Sequence, residues 1–90
     1  MAWQIELTGE ARKELKKLGQ VEARRIRLFL RQRIETAEDP RQLGKPLKGK
    51  TSELWRYRVG NYRLVCKILD DILIVLIIRI GHRKEVYRKK

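Results

Sequence analysis

The 90-residue chain is poor in the residues that build metal centres and cross-links. It has one cysteine and one histidine. A lone Cys66 closes no disulfide within the chain and builds no cysteine-based zinc site. A lone His82 excludes a multi-histidine centre. No cofactor and no metal are therefore expected. Long apolar runs are missing too. The longest, Ile72 to Ile78, falls far short of the roughly 20 residues that span a bilayer. The opening M-A-W-Q-I-E-L has no basic stretch followed by an apolar one, so it does not read as a signal peptide. A cytoplasmic chain is expected. Acidic residues are scarce: 11 Asp and Glu stand against 23 Lys and Arg, a formal net charge of +12. That imbalance points to an anionic partner, whether nucleic acid, an anionic membrane or an acidic protein. The membrane is disfavoured, because neither expected helix pairs its cations with a large exposed aromatic face. Hydrophobic residues make up 42%, which excludes disorder by composition, and the length suits a single domain, 1–90.

What is present is concentrated between Trp55 and Tyr87. The run W-R-Y-R-V alternates strictly, with Trp55, Tyr57 and Val59 on one side of an extended chain and Arg56 and Arg58 on the other. Gly60-Asn61 reads as a two-residue hairpin turn, with Gly where a type II′ turn needs positive φ. Counting outward pairs Val59 with Tyr62, Arg58 with Arg63, Tyr57 with Leu64 and Trp55 with Cys66. Arg58 and Arg63 then lie opposite each other, with Arg56 one step along. Like charges so placed repel, where a cross-strand pair is worth roughly 0.2–1 kcal/mol. An anion between them reverses the sign, and Arg is shaped for phosphate. One reading is a solvated basic face. The sharper reading is a phosphate site on an open sheet face.

The rest of the chain frames that hairpin. Ala2 to Leu7 reads as a short strand alternating Trp3, Ile5 and Leu7 with Gln4 and Glu6. Thr8 suits a helix N-cap, and Ala11, Leu15 and Leu18 give the stripe of a first helix that Gly19 ends. A second helix is expected from about Val21 to Glu38, with Ala23, Ile26, Leu30, Ile34 and Ala37 on one face and Asp39-Pro40 stopping it. The outward faces carry Arg12, Lys13, Lys16, Lys17, Arg24, Arg25, Arg27, Arg31 and Arg33, either a solvated surface or an electrostatic footprint for RNA. Arg41 to Ser52 reads as a loop. Leu43 and Leu47 pin it to the core, while Lys45, Lys48 and Lys50 add charge beside the arginine face. Three strands in a meander follow, at about 53–59, 62–69 and 72–80. Counting across a two-residue turn at Asp70-Asp71 puts Ile74 and Leu76 on the arginine face near Lys67 and Val65, and pairs Ile78 with Arg63. The third strand is apolar on both faces, unusual where one face meets water. Either the chain's tail or a protein partner covers it. For Arg83 and Tyr87 to join the arginine face under this register, the chain must turn back at Gly81. The expected class is α+β: an N-terminal strand, a two-helix hairpin and a three-stranded antiparallel meander in one sheet, helices on one face.

The pattern W-R-Y-R-V-G-N-Y-R-L-V, the apolar strand after it and the closing I-G-H-R-K-E-V-Y-R resemble the RelE group of the RelE/ParE toxin superfamily. The resemblance covers nearly the whole chain. It implies a ribosome-dependent mRNA endonuclease, the toxin of a type II toxin–antitoxin pair. The implied partners are an acidic RelB-like antitoxin, the ribosome and mRNA, with operator DNA bound only as the complex. By position in the family pattern, Arg56, Arg58, Arg63, Arg83 and Tyr87 become the implied catalytic set, with His82 a further candidate. Lys45, Lys48, Lys50 and Lys67 become RNA-binding residues.

The implied chemistry is metal-free: the 2′-OH attacks the adjacent phosphate, leaving a 2′,3′-cyclic phosphate and a 5′-OH. It needs a base, an acid and positive charge on the transition-state oxygens. Arg63 with Arg56 or Arg58 suits the charge. Tyr87 orients the 2′-OH or stacks on a base, and Arg83 stabilises the leaving oxygen or acts as the acid. Relatives carry lysines where this chain has Arg56 and Arg58, and Arg does not deprotonate. Either Tyr87, Glu85, His82 or a ribosomal group is then the base, or the reaction runs mainly on charge stabilisation and substrate positioning. Three other functions fit the fold: a ParE-like gyrase inhibitor, a non-catalytic RNA-binding module, and a toxin homologue of weak activity.

Overall fold

A computed structural model describes residues 2–47 and 54–82. Lys48, Lys50, Arg83, Glu85 and Tyr87 lie outside the described residues.

The first strand, β1 (Gln4–Leu7), runs into helix α1 (Gly9–Lys17) through Thr8. The Thr8 hydroxyl accepts from the Ala11 N–H at 3.1 Å, the expected N-cap, and donates to the Ile78 carbonyl at 3.0 Å, tying the helix start to the sheet. Gly19, at φ +89°, opens the way into α2 (Gln20–Phe29). The helix then widens into one π-turn over Leu30–Ile34, closed by the Glu35 N–H on the Leu30 carbonyl at 2.9 Å. Ile26, Leu30 and Ile34 recur every four residues and all three are buried. At about 100° per residue a regular helix would carry the third of them off the face, and a wider turn brings it back. Helical structure therefore ends at Ile34 rather than Glu38. The Trp3 N–H takes the Glu35 carbonyl, and Thr36 turns its hydroxyl onto the Gln32 carbonyl.

The stretch expected as loop after Asp39 is more ordered than its composition suggests. Asp39 caps a 3₁₀ turn, Pro40–Leu43, and a two-residue strand β2 (Lys45–Pro46) follows. Then come β3 (Leu54–Val59), β4 (Tyr62–Leu69) and β5 (Ile74–His82). The sheet order is β1-β5-β4-β3-β2, with β1 parallel to β5 and the other pairs antiparallel. The α+β expectation holds, with one additional strand.

The hairpin register agrees with the count: Val59 faces Tyr62, Arg58 faces Arg63, Tyr57 faces Leu64 and Trp55 faces Cys66. Gly60 has φ +62°. The second register differs. Asp70–Ile72 form a 3₁₀ turn closed by Leu73 in the left-handed region, φ 55°, so the connection has four residues rather than two. The irregularity opposite Val65 and Cys66 leaves Ile78 as an extra residue on β5. The longer turn shifts the ladder by two residues and the bulge by one. Gly81, not Ile78, faces Arg63. No reversal occurs at Gly81; the strand continues to His82. The shift of two keeps parity, so Ile74 and Leu76 stay on the arginine face, with Leu76 facing Lys67.

The core lies between the helices and the other sheet face. Ala11, Leu15, Ala23, Ile26, Leu30 and Ile34 pack against Tyr57, Leu64, Cys66, Val75, Ile77 and Ile80. Burial of the Cys66 thiol pushes its pKa up to about 12, which leaves it an inert packing group. Beyond β1 the upper half of β5 is an edge, and α1 covers it. Glu14 accepts from the Ile80 N–H at 2.6 Å and from Arg79 Nε at 2.9 Å.

Candidate functional site

Strand β3 builds the site with both of its faces. On the core side, Tyr57 donates from its hydroxyl to the Pro40 carbonyl at 2.8 Å, and Trp55 Nε1 donates to the Arg41 carbonyl at 3.0 Å. Burial drives the Tyr57 pKa far above the ordinary tyrosine value, so the group stays a donor and serves as no base. Phe29 packs edge-on to its ring at 5.7 Å. These two aromatics hold the 40–43 turn against the sheet. Arg41 adds a forked pair to Asp70 at 3.0 and 2.7 Å, and its guanidinium lies 6.0 Å from the Trp55 ring centroid. Gly44 completes the join. A Cβ there would collide with the Arg56 carbonyl oxygen and sit 2.8 Å from Tyr57 Cδ1 and 2.9 Å from Trp55 Cδ1.

On the opposite side of β3 stand Arg56 and Arg58. A two-residue hairpin makes Val59 and Tyr62 the hydrogen-bonded pair, so Arg58 and Arg63 occupy the next, non-hydrogen-bonded site, where side chains come closest. Lys45 faces Arg56 across the short β2–β3 ladder. A cleft of about 300 Å³ is lined by Gln42, Leu43, Gly44, Lys45, Arg56, Tyr57, Arg58 and Arg63. Four of these carry positive charge and none is acidic. Guanidinium groups so gathered have the chemistry to bind phosphate oxygens, and an anion between Arg58 and Arg63 would offset the repulsion of two like charges at one register position.

The structure thus brings Arg56, Arg58, Arg63 and Lys45 together. It does not bring His82 among them. His82 faces Tyr62, its ring edge-on at 5.9 Å, on the strand side of Val59 rather than of Arg63. It lines a separate cleft with Glu14, Lys17, Leu18 and Tyr62. Lys67 sits on the arginine side but faces Leu54 and Leu76, away from the cleft lining. Among the described residues no group of three or more His, Cys, Asp or Glu side chains is placed to hold a metal ion. No described helix is long and apolar enough to cross a membrane. Sequence reasoning missed the second wall, Gln42, Leu43 and Gly44. A two-residue strand has no period to read, and the Gly flanked by Leu43 and Lys45 was the only available signal.

A small basic α+β chain of this order has known counterparts. Residues 5–87 match the family described as the ParE toxin of type II toxin–antitoxin systems, parDE. The chain is 31% identical to the mRNA interferase toxin RelE of Escherichia coli over 97% of its length and 92% of that protein's. It is 34% identical to the toxin RelG of Mycobacterium tuberculosis over 61% of this chain, a match spanning 63% of that relative. A chain of the crystal structure of the RelBE2 toxin–antitoxin complex from M. tuberculosis superposes with a TM-score of 0.83 at 29% identity, covering 92% of this chain and 100% of that one. The chain belongs to the RelE/ParE superfamily of type II toxin–antitoxin toxins, as a toxin of RelE type.

Proposed function

We propose that this toxin is a ribosome-dependent mRNA endoribonuclease, acting in the cytoplasm as a single domain over 1–90. One observation carries the reading: Arg58 and Arg63 are set opposite each other beside Arg56 and Lys45, four cations gathered in one cleft with no carboxylate among its described lining residues. A gyrase inhibitor has no need of such a constellation. The E. coli relative is an mRNA interferase toxin, which supports the same class.

In this reading the scissile phosphate lies between Arg58 and Arg63. Their guanidinium groups hold the non-bridging oxygens as the 2′-OH attacks and negative charge grows on those oxygens. Arg56 and Lys45 take the neighbouring phosphate. Gly81 faces Arg63, so two further residues of chain, at most about 7 Å, separate that position from Arg83. This supports Arg83 at the leaving oxygen and Tyr87 at the ribose. The base comes from Tyr87, Glu85 or a ribosomal group. Lys67, Lys48 and Lys50 extend the RNA path. An acidic RelB-like antitoxin neutralises the toxin by covering the arginine face with its half-buried Ile74 and Leu76, and the pair binds operator DNA. Slowed hydrogen exchange in β5 on adding the antitoxin is expected; unchanged exchange would reject that cover.

The test is in vitro translation of a defined message with primer extension. Cuts in ribosome-bound message that vanish with Arg63→Ala and weaken with Tyr87→Phe establish the nuclease. Arrest without cuts moves the function to ribosome binding. Blocked DNA supercoiling with normal translation makes it a ParE-type activity.

A further inference from the structure

The cleft has two walls of different chemistry, and the phosphate reading uses only one. Arg56, Arg58 and Arg63 form the charged wall. The other is the segment Gln42 to Gly44, uncharged, with Gln42 exposed and Leu43 half-buried. At about 300 Å³ the cleft lies at the small end of ligand sites, larger than a phosphate group needs.

The uncharged wall is also held more firmly than an ordinary loop. Two of its N–H groups bond back into the turn, Gln42 to the Asp39 carbonyl at 3.0 Å and Gly44 to the Arg41 carbonyl at 3.3 Å, and the turn's start is fixed by the Arg41 N–H on Asp39 Oδ1 at 3.1 Å. The Pro40 and Arg41 carbonyls just before it accept from Tyr57 and Trp55. Those aromatics alternate along β3 with Arg56 and Arg58. One strand therefore sets the distance between the two walls. A turn held this way places exposed Gln42, and Leu43 half-buried against the core, along the cleft beside the arginines.

We propose that Gln42 and Leu43 form a nucleobase subsite that selects the nucleotide attached to the phosphate held by Arg58 and Arg63. The proposal rests on the nuclease reading above. Gln42 offers one acceptor and two donors on a single amide, the equipment that reads a base edge, while Leu43 supplies an apolar surface for the base face. Gln42 is a specificity residue here, not a catalytic one. The arginines hold phosphate of any sequence; the amide distinguishes bases.

The experiment maps cuts on a ribosome-bound message containing every codon, with wild type, Gln42→Ala, Gln42→Glu, Leu43→Ala and Leu43→Met. Wild type is expected to favour some codons. Gln42→Ala should reduce the ratio of favoured to disfavoured cuts by about 5- to 100-fold, the range of one good amide–base contact, while cutting at disfavoured codons persists. Gln42→Glu, an acceptor only, should reorder the preference rather than flatten it. Leu43→Ala should lower all cuts and Leu43→Met restore them. A wild-type codon profile in both Gln42 variants overturns the proposal and leaves the nuclease standing. Loss of all cutting in Gln42→Ala, with unchanged thermal unfolding, also overturns it, since a selectivity role spares disfavoured codons. If wild type makes no cuts at all, the nuclease reading fails and takes this proposal with it.

Discussion

Two regions of this toxin carry clustered arginines, and they are built in opposite ways. On α2 and its π-turn, Arg24, Arg27 and Arg31 follow one another at helical spacing with Gln20 and Leu28 along a groove of about 510 Å³. Every lining residue of that groove comes from this one helical segment. The sheet cleft is smaller, yet three separate stretches of chain, 42–45, 56–58 and Arg63 on β4, meet in it. Helix arginines three or four apart fan outward and each turns to water independently. Arg58 and Arg63 have no such freedom at the backbone, because the hairpin ladder sets their separation and Trp55 and Tyr57 set the facing wall. A cluster of cations attracts RNA anywhere on the surface. Only where the backbone fixes the cations, at a cost in repulsion, does it define a position for one phosphate.

The largest expected effect tests that contrast directly. Arg63→Ala should lower message cleavage by about 10²–10³-fold, the usual loss when one fixed donor to a developing anion is removed. Thermal unfolding of the variant should stay close to wild type. Arg63→Lys should recover only part of the loss, because a point charge does not match two oxygens at once. Equal cleavage by wild type and Arg63→Ala would place the chemistry elsewhere.

Next is the wall. Gly44→Ala places a methyl group against the Arg56 carbonyl, Tyr57 and Trp55. Overpacking of this kind costs about 1–3 kcal/mol, read as a lower denaturation midpoint in urea. Cleavage should fall as well, because the turn must move away from the arginines. Tyr57→Phe leaves the Pro40 carbonyl without its buried donor and should cost about 1–2 kcal/mol. If either variant keeps full stability and full codon preference, the wall is not held as described.

The helix arginines come third. The triple variant Arg24→Ala, Arg27→Ala, Arg31→Ala should reduce cleavage by less than about tenfold, and the deficit should shrink as salt rises, since these charges act through a screened field. A loss as large as that of Arg63→Ala, insensitive to salt, would erase the distinction between the two regions.

The sequence exposed these regions unequally, for physical reasons. The alternation around Trp55–Val59 and the Gly60-Asn61 turn made the Arg58–Arg63 pair legible by counting alone, because a two-residue turn admits one register. The Asp70-Asp71 turn admitted several. Its extra residues, with Leu73 in a left-handed conformation that an aliphatic side chain seldom adopts, gave no advance signal, and neither did the bulge at Ile78. Their combined shift is what brings Gly81 to Arg63. The wall Gln42–Gly44 was hidden for a third reason. Its place depends on Tyr57 and Trp55 reaching across to Pro40 and Arg41, contacts remote in sequence that local pattern does not encode.

The smallest effect concerns the far anchor of that wall, where Arg41 grips Asp70. The Arg41 hydrogen bond and its charge hold the Asp70 carboxyl below its ordinary pKa, and Asp70 in turn raises Arg41. A carboxylate whose pKa is depressed on folding adds stability above its unfolded pKa and loses it as pH falls through the folded value. Asp70→Asn should therefore lie slightly below wild type in stability at neutral pH, and the two curves should converge under acid conditions below the ordinary carboxylate range. Asp70 is fully exposed and solvent screens the pair, so the gap should be much smaller than that of Gly44→Ala. Raised salt should narrow it further. The pair's larger service is to orientation: the Arg41 carbonyl accepts from Trp55 Nε1, so Asp70→Asn should loosen codon preference more than it lowers stability. A variant that loses stability in equal measure at every pH would show that Asp70 acts through packing of the turn and not through its charge.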